Sequence, residues 1–286
     1  MIFNNETRLA VLFGKPLKQS FSVRLQNMAY EDEQINMVYL TEEIEPQNLG
    51  LALAGLKVLN FAGCGVTKPY KVDVMQYLDK RDPLCETIGA CNTVVNENGI
   101  LSGYNTDAEG FYRSLSEEGS VNVPESTFFC FGAGGAGRAI CAVLAYNGAK
   151  KIYISDYNEQ AAESLCRELS EKLSPIFENV PYGCYSPIQN CDVVINASGV
   201  GMGHSIGQSP MPGELVLPGQ LYFDACYNPE KTCFLLNAER HGARILNGLG
   251  MLLWQGIAQI ELWTGRQIDP ENMRQELLKL AASPTV

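Results

Sequence analysis

Histidine is scarce in this chain, with His204 and His241 as the only two among 286 residues. Neither has a ligand partner at a useful spacing, and the ten cysteines contain no C-x-x-C pair. Most cysteines stand in apolar strand or helix contexts, where Cys behaves as a small hydrophobe, and we expect reduced thiols. The sequence therefore predicts no metal site and argues against a Ser-His-Asp triad.

Positive charge and long apolar runs are also lacking. The 21 basic residues are outnumbered by 32 acidic ones, and the net charge of −11 argues against nucleic acid or an anionic membrane as a partner. The longest apolar helical stretch, residues 249–263, is interrupted by Gln255, Gln259 and Glu261 and is too short to span a bilayer. No basic segment leads into an apolar one after Met1, so we expect a cytoplasmic protein without a secretory signal.

A glycine-rich turn between two apolar strands is the most informative stretch that is present. Residues 127–131 predict a buried strand, residues 138–146 a helix, and residues 151–155 a second strand. Between the first strand and the helix stand Gly132, Ala133, Gly134, Gly135, Ala136 and Gly137, which fit the pattern G-x-G-x-x-G. Glycines let the backbone approach a pyrophosphate closely at a helix N-terminus. The order of these elements predicts a dinucleotide site rather than a plain β–α turn.

Asp156, at the end of the second strand, bears on the choice of cofactor. It stands about 20 residues beyond the last glycine, where an acidic residue binds the adenosine ribose. A carboxylate accepts hydrogen bonds from both ribose hydroxyls but repels a 2′-phosphate. Tyr157, Asn158 and Glu159 follow, without an Arg or Lys to neutralise a phosphate. We therefore predict NAD rather than NADP.

The remaining pattern indicates an α/β protein of two domains, since strands and helices alternate over most of the chain. Predicted strands cover residues 8–13, 37–40, 60–66, 191–196, 221–225 and 242–246, with a hairpin at 88–95 and 99–103. Predicted helices cover residues 23–30, 47–56, 72–78, 108–116, 159–173, 232–241, 251–263 and 271–281. Ligands of parallel sheets bind beyond the carboxyl ends of the strands, so the loops after Phe131, Ser155, Asn196 and Ala225 should surround the cofactor.

Several polar residues outside the glycine loop allow two interpretations each. Ser20 and Ser22 either cap the helix that follows or bind a carboxylate or polyol. Lys71 is predicted in a first helical turn, where a cation opposes the helix dipole, and Asp107 has a simple interpretation as an N-cap. Gln255 and Gln259 share one helix face, as solvated residues or as the polar edge of a cleft.

Six blocks, in this order, resemble the shikimate dehydrogenase family, including its quinate/shikimate dehydrogenase members. They are Gly14–Ser22, Val66–Lys71, Gly89–Thr93, Gly103–Asp107, Gly132–Arg138 and Gly248–Gly256. The resemblance implies that residues 1–107 and 248–286 form an α/β substrate domain. It also implies that residues 108–247 form a Rossmann-like, doubly wound dinucleotide-binding domain, with the active site in the cleft between the two.

The resemblance further implies a role for individual residues in the interconversion of shikimate and 3-dehydroshikimate, a step of aromatic amino acid biosynthesis. Lys71 and Asp107 would be the catalytic pair. The residues that hold the hydroxylated ring carboxylate would be Ser20, Ser22, Thr67, Asn92, Tyr227 and Gln255. Those that hold the cofactor would be Gly132, Ala133, Gly134, Gly135, Ala136, Gly137, Asp156, Ser198, Gly248 and Met251. Since no histidine is placed to move the hydroxyl proton, Lys71 is either the proton carrier or an electrostatic clamp.

Departures from the family pattern leave the substrate open. Gln19 stands where the family has His, Val23 where it often has Pro, and Gly65 where it has Asn. A quinate dehydrogenase, or an enzyme for a related ring acid, is therefore the main alternative. A non-catalytic NAD-dependent ligand sensor and a dehydrogenase of the methylenetetrahydrofolate type are further ones, although the matching blocks do not support the latter. Whether the chain forms a homodimer stays open.

Overall fold

The computed structural model describes residues 3–18 and 20–282 of the chain. The strands are β1 (Arg8–Gly14), β2 (Met37–Glu43), β3 (Gly63–Val66), β4 (Lys80–Arg81), β5 (Thr93–Glu97), β6 (Ile100–Tyr104), β7 (Thr127–Phe131), β8 (Lys151–Ser155), β9 (Phe177–Asn179), β10 (Val193–Asn196), β11 (Leu221–Asp224) and β12 (Arg244–Leu246). The α-helices are α1 (Ser22–Asp32), α2 (Leu49–Val58), α3 (Pro83–Ile88), α4 (Thr106–Arg113), α5 (Gly135–Tyr146), α6 (Glu159–Lys172), α7 (Cys233–Arg240), α8 (Gly248–Thr264) and α9 (Pro270–Ala282). The α/β class predicted from the sequence is confirmed.

The chain divides into two compact units. One comprises the residues up to Asp107 together with those from Leu253 onward, and the other comprises Ala108–Leu252. Both boundaries fall near helix starts, because α4 begins at Thr106 and α8 at Gly248. Residues far apart in the sequence therefore share the first unit.

The first unit contains a mixed sheet of order β2-β1-β3-β5-β6-β4. Strand β1 is parallel to β2 and β3, whereas β5 runs antiparallel to both β3 and β6. One hydrophobic core cluster of this unit includes Val11 on β1, Leu53 on α2 and Cys64 on β3. Because β3 pairs with β5, the loop after β3 lies next to the start of β5.

The second unit contains a sheet of order β12-β11-β10-β7-β8-β9 in which all neighbouring strands are parallel. Strands β10 and β11 are buried along their whole length, as expected for a sheet covered on both faces. The order reverses between β7 and β10, so their carboxyl ends form the crevice where such sheets bind ligands. The glycine loop after β7 opens into that crevice.

Two local predictions in the first unit are wrong. The helix predicted at 72–78 is a short 3₁₀ turn, Asp73–Tyr77, because the backbone becomes extended at Leu78 and continues into β4, which pairs with β6. Lys71 therefore precedes this turn and does not stand in an α-helix. The residues at the start of the predicted hairpin, 88–92, are not strand, although β5 and β6 form the antiparallel pair that was predicted.

The short elements α3, β4 and β9 were not predicted. Helix α3 begins with Pro83, and the carboxylate of Asp82 accepts hydrogen bonds from the backbone N–H groups of Leu84 and Cys85. Both are helix-start signals, but six residues are too few to show an apolar period.

Within the described residues, no helix is long and apolar enough to cross a membrane.

Candidate active site

Lys71 and Asp107 form an ion pair in the first unit. Lys71 Nζ donates to Asp107 Oδ2 at 2.7 Å, and their side chains are 34% and 22% exposed. Asp107 lies inside the first turn of α4 and not at an N-cap before residue 108, so its capping interpretation is wrong. The two residues proposed as a pair from the resemblance are thus in direct contact and partly accessible.

Two residues immediately before β5, Cys91 and Asn92, hold the chain at both partners of this pair. The N–H of Cys91 donates to the carbonyl of Lys71 at 2.7 Å. The neighbouring Asn92 accepts at Oδ1 from the N–H of Thr106 at 2.7 Å, and its Nδ2 donates to the Thr106 hydroxyl at 2.9 Å. Because a backbone N–H only donates, it fixes the orientation of the Asn92 amide. Asn92 is buried and connects directly to the residue before Asp107.

Gln259 takes part in the same group of buried polar residues. Its Nε2 donates to the hydroxyl of Thr93 at 3.0 Å and its Oε1 accepts from Gln26 at 3.0 Å. Gln259 is 4% exposed, so its interpretation as a solvated residue is wrong. The predicted substrate residues did not include it. A Gln on the apolar helix 251–263 was the only signal that could have pointed to a buried polar contact. Gln255, one turn earlier on α8, is partly buried.

Ser20 and Ser22 lie together at the start of α1. The Ser22 N–H donates to the Ser20 hydroxyl at 3.3 Å, and Ser22 is the first residue of the helix. The N-cap residue is Phe21, whose side chain provides no cap, so neither serine is the N-cap, although the Ser20 hydroxyl does bind the N–H of the first helical residue. Gln19 lies outside the described residues. Thr67, partly buried, donates its N–H to the Phe13 carbonyl at 2.9 Å and so is held to the end of β1.

The three glycines of the G-x-G-x-x-G pattern are needed for different reasons. Gly132 has φ +109°, and a Cβ there would lie 2.7 Å from the backbone of Ala197 and Ser198. A Cβ on Gly137 would lie 1.9 Å from the Gly132 carbonyl oxygen, so this glycine allows α5 to pack against the turn. A Cβ on Gly134 or Gly135 would meet no described atom within 4 Å. These two, with Ala133 and Ala136, form the accessible part of the loop.

The N-terminus of α5 points its unpaired backbone N–H groups at this accessible part. Its N-cap is Gly134, and no side chain of the described chain caps it. Unpaired N–H groups and the helix dipole favour an anion there, and the absence of a Cβ at Gly134 leaves room for it. The loop therefore fits the pyrophosphate of a dinucleotide.

Asp156 is bonded to the glycine loop. Its Oδ2 accepts from the Ala133 N–H at 2.7 Å, and its Oδ1 accepts from the Asn158 N–H at 2.8 Å. The first bond connects the end of β8 to the turn after β7. It places the carboxylate beside the loop, and each oxygen keeps a further lone pair for a hydroxyl donor.

A buried carboxylate, Asp224, organises the loops after β10 and β11. It accepts from the hydroxyl of Thr232 at 2.6 Å, from the Cys226 N–H at 2.9 Å and from Asn196 Nδ2 at 3.1 Å. Burial raises the pKa of Asp224, and the hydrogen bonds oppose that shift. Asn196 in turn accepts from the Ser198 hydroxyl at 2.6 Å. This network fixes Ser198 beside the crevice of the second sheet.

Three further predicted residues lie in the second unit. Gly248 donates its N–H to the Cys226 carbonyl at 3.0 Å, and a Cβ on it would lie 2.2 Å from the Ala225 carbonyl oxygen. Met251, partly buried, lies one turn further along α8. Tyr227 is partly buried, and burial raises the pKa of its hydroxyl. Among the described residues, no group of three or more His, Cys, Asp or Glu is arranged to hold a metal ion.

Comparison with known proteins identifies the family. The model of the shikimate dehydrogenase substrate binding domain matches residues 12–94, and that of the shikimate 5′-dehydrogenase C-terminal domain matches residues 248–278. The NADP(+) shikimate dehydrogenase of Desulforamulus reducens is 40% identical over 98% of this chain and 97% of its own length.

Solved structures agree with this match over nearly the whole chain. A shikimate 5-dehydrogenase from Listeria monocytogenes, in complex with shikimate and NAD, has a TM-score of 0.91 and 31% identity, covering 96% of this chain and 98% of its own. A quinate dehydrogenase from Corynebacterium glutamicum in complex with NAD has a TM-score of 0.89 and 27% identity, covering 96% and 99%. The chain belongs to the shikimate dehydrogenase family.

Proposed function

We propose that this protein is a shikimate dehydrogenase that interconverts shikimate and 3-dehydroshikimate and prefers NAD to NADP. The contact of 2.7 Å between Lys71 and Asp107 is the observation that carries the proposal. These two residues supply the ionisable groups that the chemistry requires, on a part of the first unit that solvent reaches. The match to shikimate dehydrogenases along nearly the full chain supports the substrate.

The reaction requires one proton to move for each hydride. A bound dinucleotide would supply the nicotinamide that accepts the hydride from the carbon bearing the reacting hydroxyl. The hydroxyl proton must leave in the same reaction, and the Lys71 amine, held by Asp107, either takes it or stabilises the charge that develops on the oxygen. The ion pair with Asp107 restricts the Lys71 side chain to one arrangement.

Uncharged groups would hold the rest of the substrate. Ser20 lies just before α1 and Ser22 is its first residue, and two hydroxyls so placed suit a carboxylate. Asn92 has its Oδ1 committed to Thr106, so it would offer an N–H donor to a substrate oxygen. We assign Thr67, Gln255 and Tyr227 to the remaining hydroxyls.

Asp156 supports NAD as the preferred cofactor. Its two oxygens already accept backbone N–H donors and have further lone pairs for the ribose hydroxyls, whereas a 2′-phosphate at the same place would face a carboxylate. The curated relative from Desulforamulus reducens is named for NADP(+), whereas the Listeria monocytogenes structure contains NAD. The preference must therefore come from this chain's own residues. Ser198, Gly248 and Met251 would complete the cofactor site.

Initial rates with shikimate and quinate, each with NAD and with NADP, test both parts of the proposal. We expect shikimate with NAD to give the highest kcat/KM. Asp156→Ser should lower the ratio of kcat/KM for NAD over NADP by about tenfold or more, equal to about 1.4 kcal/mol. Glu159→Gln, which removes an exposed charge three residues away, should leave that ratio unchanged.

Each part of the proposal has its own contrary outcome. Quinate as the better substrate would reassign the protein to the quinate dehydrogenases, and an unchanged cofactor ratio in Asp156→Ser would refute the role of Asp156. If neither acid is oxidised while both bind in calorimetry, the chain is a ligand sensor.

A further inference from the structure

Five buried polar side chains form one connected network in the first unit. They are Gln26, Asn92, Thr93, Thr106 and Gln259, with exposures between 0% and 4%. They come from four separate segments, since Gln26 is on α1, Asn92 and Thr93 are at the start of β5, Thr106 is on α4 and Gln259 is on α8. Buried polar groups are stable only when they are hydrogen-bonded, so the position of each depends on the others.

The bonds lead from α1 and α8 to the start of α4. Gln26 donates to Gln259 at 3.0 Å, and Gln259 donates to the Thr93 hydroxyl at 3.0 Å. The Thr93 hydroxyl lies 2.9 Å from the Thr106 hydroxyl and 3.2 Å from Asn92 Oδ1. Thr93 thus contacts Thr106, the residue immediately before Asp107, and Asn92, which binds Thr106.

The donors and acceptors of this network fix the orientation of the Asn92 amide and leave two partners for the Thr93 proton. Asn92 Oδ1 must face the Thr106 N–H, so Asn92 Nδ2 donates to the Thr106 hydroxyl. The Thr93 hydroxyl accepts from Gln259 and keeps its own proton for Thr106 or Asn92. Removing the Thr93 hydroxyl leaves Gln259 without its closer acceptor and removes one donor to Asn92 or Thr106. The cost of an unpaired buried group then favours a shift of Thr106, and Asp107 follows it in the chain.

We propose that Thr93 and Gln259 are positioning residues, which hold Asp107 in contact with Lys71 through Asn92 and Thr106. Neither is assigned to the substrate or the cofactor. The role in catalysis rests on the proposed function, because it requires Lys71 and Asp107 to be the catalytic pair. The role in geometry does not, because it concerns only the distance between two side chains.

Isosteric and conservative variants of Thr93 separate positioning from packing. Thr93→Val keeps the shape and removes the hydroxyl, whereas Thr93→Ser keeps the hydroxyl. A misplacement of about 1 Å can cost on the order of 100-fold in rate, so we expect kcat of Thr93→Val to fall roughly 10- to 100-fold. Thr93→Ser should restore kcat to within about threefold of wild type. Gln259→Leu should lower kcat in the same direction as Thr93→Val.

Gln220→Leu is the matched control. Gln220 is a buried glutamine of the second unit that donates to the carbonyls of Ile188 and Cys191, both at 2.7 Å. Its loss should lower the melting temperature without changing kcat at saturating substrates. If Thr93→Val and Gln259→Leu only lower the melting temperature, as Gln220→Leu does, the two residues are structural and the proposal is overturned.

Crystal structures of the variants make the test independent of activity. We expect the distance from Lys71 Nζ to Asp107 Oδ2, 2.7 Å here, to exceed the hydrogen-bond limit of about 3.2 Å in Thr93→Val and to be short in Thr93→Ser. Unchanged distances in Thr93→Val and Gln259→Leu would overturn the positioning role whether or not the wild type oxidises shikimate. If either Thr93→Val or Gln259→Leu does not fold, the distance between Lys71 and Asp107 in the other variant decides whether the positioning role holds. A wild type that is inactive but shows the expected distances would refute the proposed function alone.

Discussion

Lys71 Nζ lies 2.7 Å from Asp107 Oδ2, although 36 residues separate them in the sequence. Two adjacent residues immediately before β5 hold this contact. Cys91 bonds to the backbone of Lys71, and Asn92 bonds to the residue before Asp107. The separation of the ionisable groups is thus set by the sheet of the first unit rather than by any local sequence preference.

Removing either charge of this pair should abolish most of the turnover. We expect Lys71→Met and Asp107→Asn to lower kcat by about 10²- to 10⁴-fold, the range for loss of a proton-transfer group, as measured by initial rates of NAD reduction with shikimate. Lys57→Met is the control, because Lys57 forms an ion pair of the same length, 2.7 Å, with Asp79 in the same unit. Its kcat should equal that of wild type. Turnover above one tenth of wild type in Lys71→Met would exclude Lys71 as a catalytic residue.

The second unit was predictable because its signals are local. The strand before the glycine loop, residues 127–131, and the strand before Asp156, residues 151–155, have the predicted bounds. Apolar runs of β-formers, glycines at fixed offsets and one acid at the next strand end are all readable within about 30 residues. The contact of Asp156 with the Ala133 N–H was not predicted, because a side chain's backbone partner depends on how the strands are placed.

The first unit was less predictable because its site depends on contacts between distant segments. The resemblance to a family, and not the residue pattern, singled out Lys71 and Asp107. The residue pattern predicts a helix where the structure has the 3₁₀ turn Asp73–Tyr77, since apolar spacing over so few residues does not separate the two. The burial of Gln259 could not be inferred from its own helix. Its partners Gln26 and Thr93 lie on α1 and β5, more than 160 residues away.

Adding a methyl group to the glycine loop should have different effects on stability at Gly137 and at Gly135. Gly137→Ala places a Cβ 1.9 Å from the Gly132 carbonyl oxygen, so α5 must move, and we expect a loss of roughly 1–3 kcal/mol in the free energy of unfolding. The Cβ that Gly135→Ala adds would have no described atom within 4 Å, so the free energy of unfolding should be unchanged or slightly higher. Its methyl group should instead weaken NAD binding in calorimetry, since it lies on the accessible part of the loop. Equal stability of the two variants would contradict the packing role of Gly137.

Glu168 should contribute stability that depends on pH. Hydrogen bonds from Arg138 and then Lys172 lower the pKa of Glu168 from 4.5 to about 2. Because the folded pKa is below the unfolded one, this contribution is present above about pH 4.5 and is lost as the pH falls towards 2. The difference in unfolding free energy between wild type and Glu168→Gln should therefore be larger at pH 7 than at pH 3. The effect should be small, since the Glu168 side chain is 34% exposed and solvent screens the pair.

The Arg138→Met background provides the control for Glu168. The strongest hydrogen-bond donor is then absent, so the pH dependence of the Glu168→Gln effect should shrink. Urea unfolding at the two pH values measures all four proteins under the same conditions. A difference that is the same at pH 3 and pH 7 would show that the pKa of Glu168 is not lowered.

Tyr39 and Gly65 should be coupled, because the Tyr39 hydroxyl occupies the space beside the glycine. A Cβ on Gly65 would lie 2.3 Å from that oxygen and 3.1 Å from Leu12 Cδ1. The hydroxyl is buried without a hydrogen-bond partner among the described residues, so Tyr39→Phe should be neutral or stabilising. Gly65→Ala alone should cost roughly 1–3 kcal/mol of unfolding free energy through overpacking.

In the Tyr39→Phe background the same Gly65→Ala change should cost less, because the atom nearest to the new methyl group is gone. We expect a coupling energy of about 1 kcal/mol from a double-mutant cycle in urea unfolding. Gly55→Ala is the control, since a Cβ at this α2 position meets no described atom within 4 Å, and its effect should simply add to that of Tyr39→Phe. Additivity of Gly65→Ala and Tyr39→Phe would mean that Leu12, and not the hydroxyl, limits the space. The glycine at position 65 would then not be explained by Tyr39.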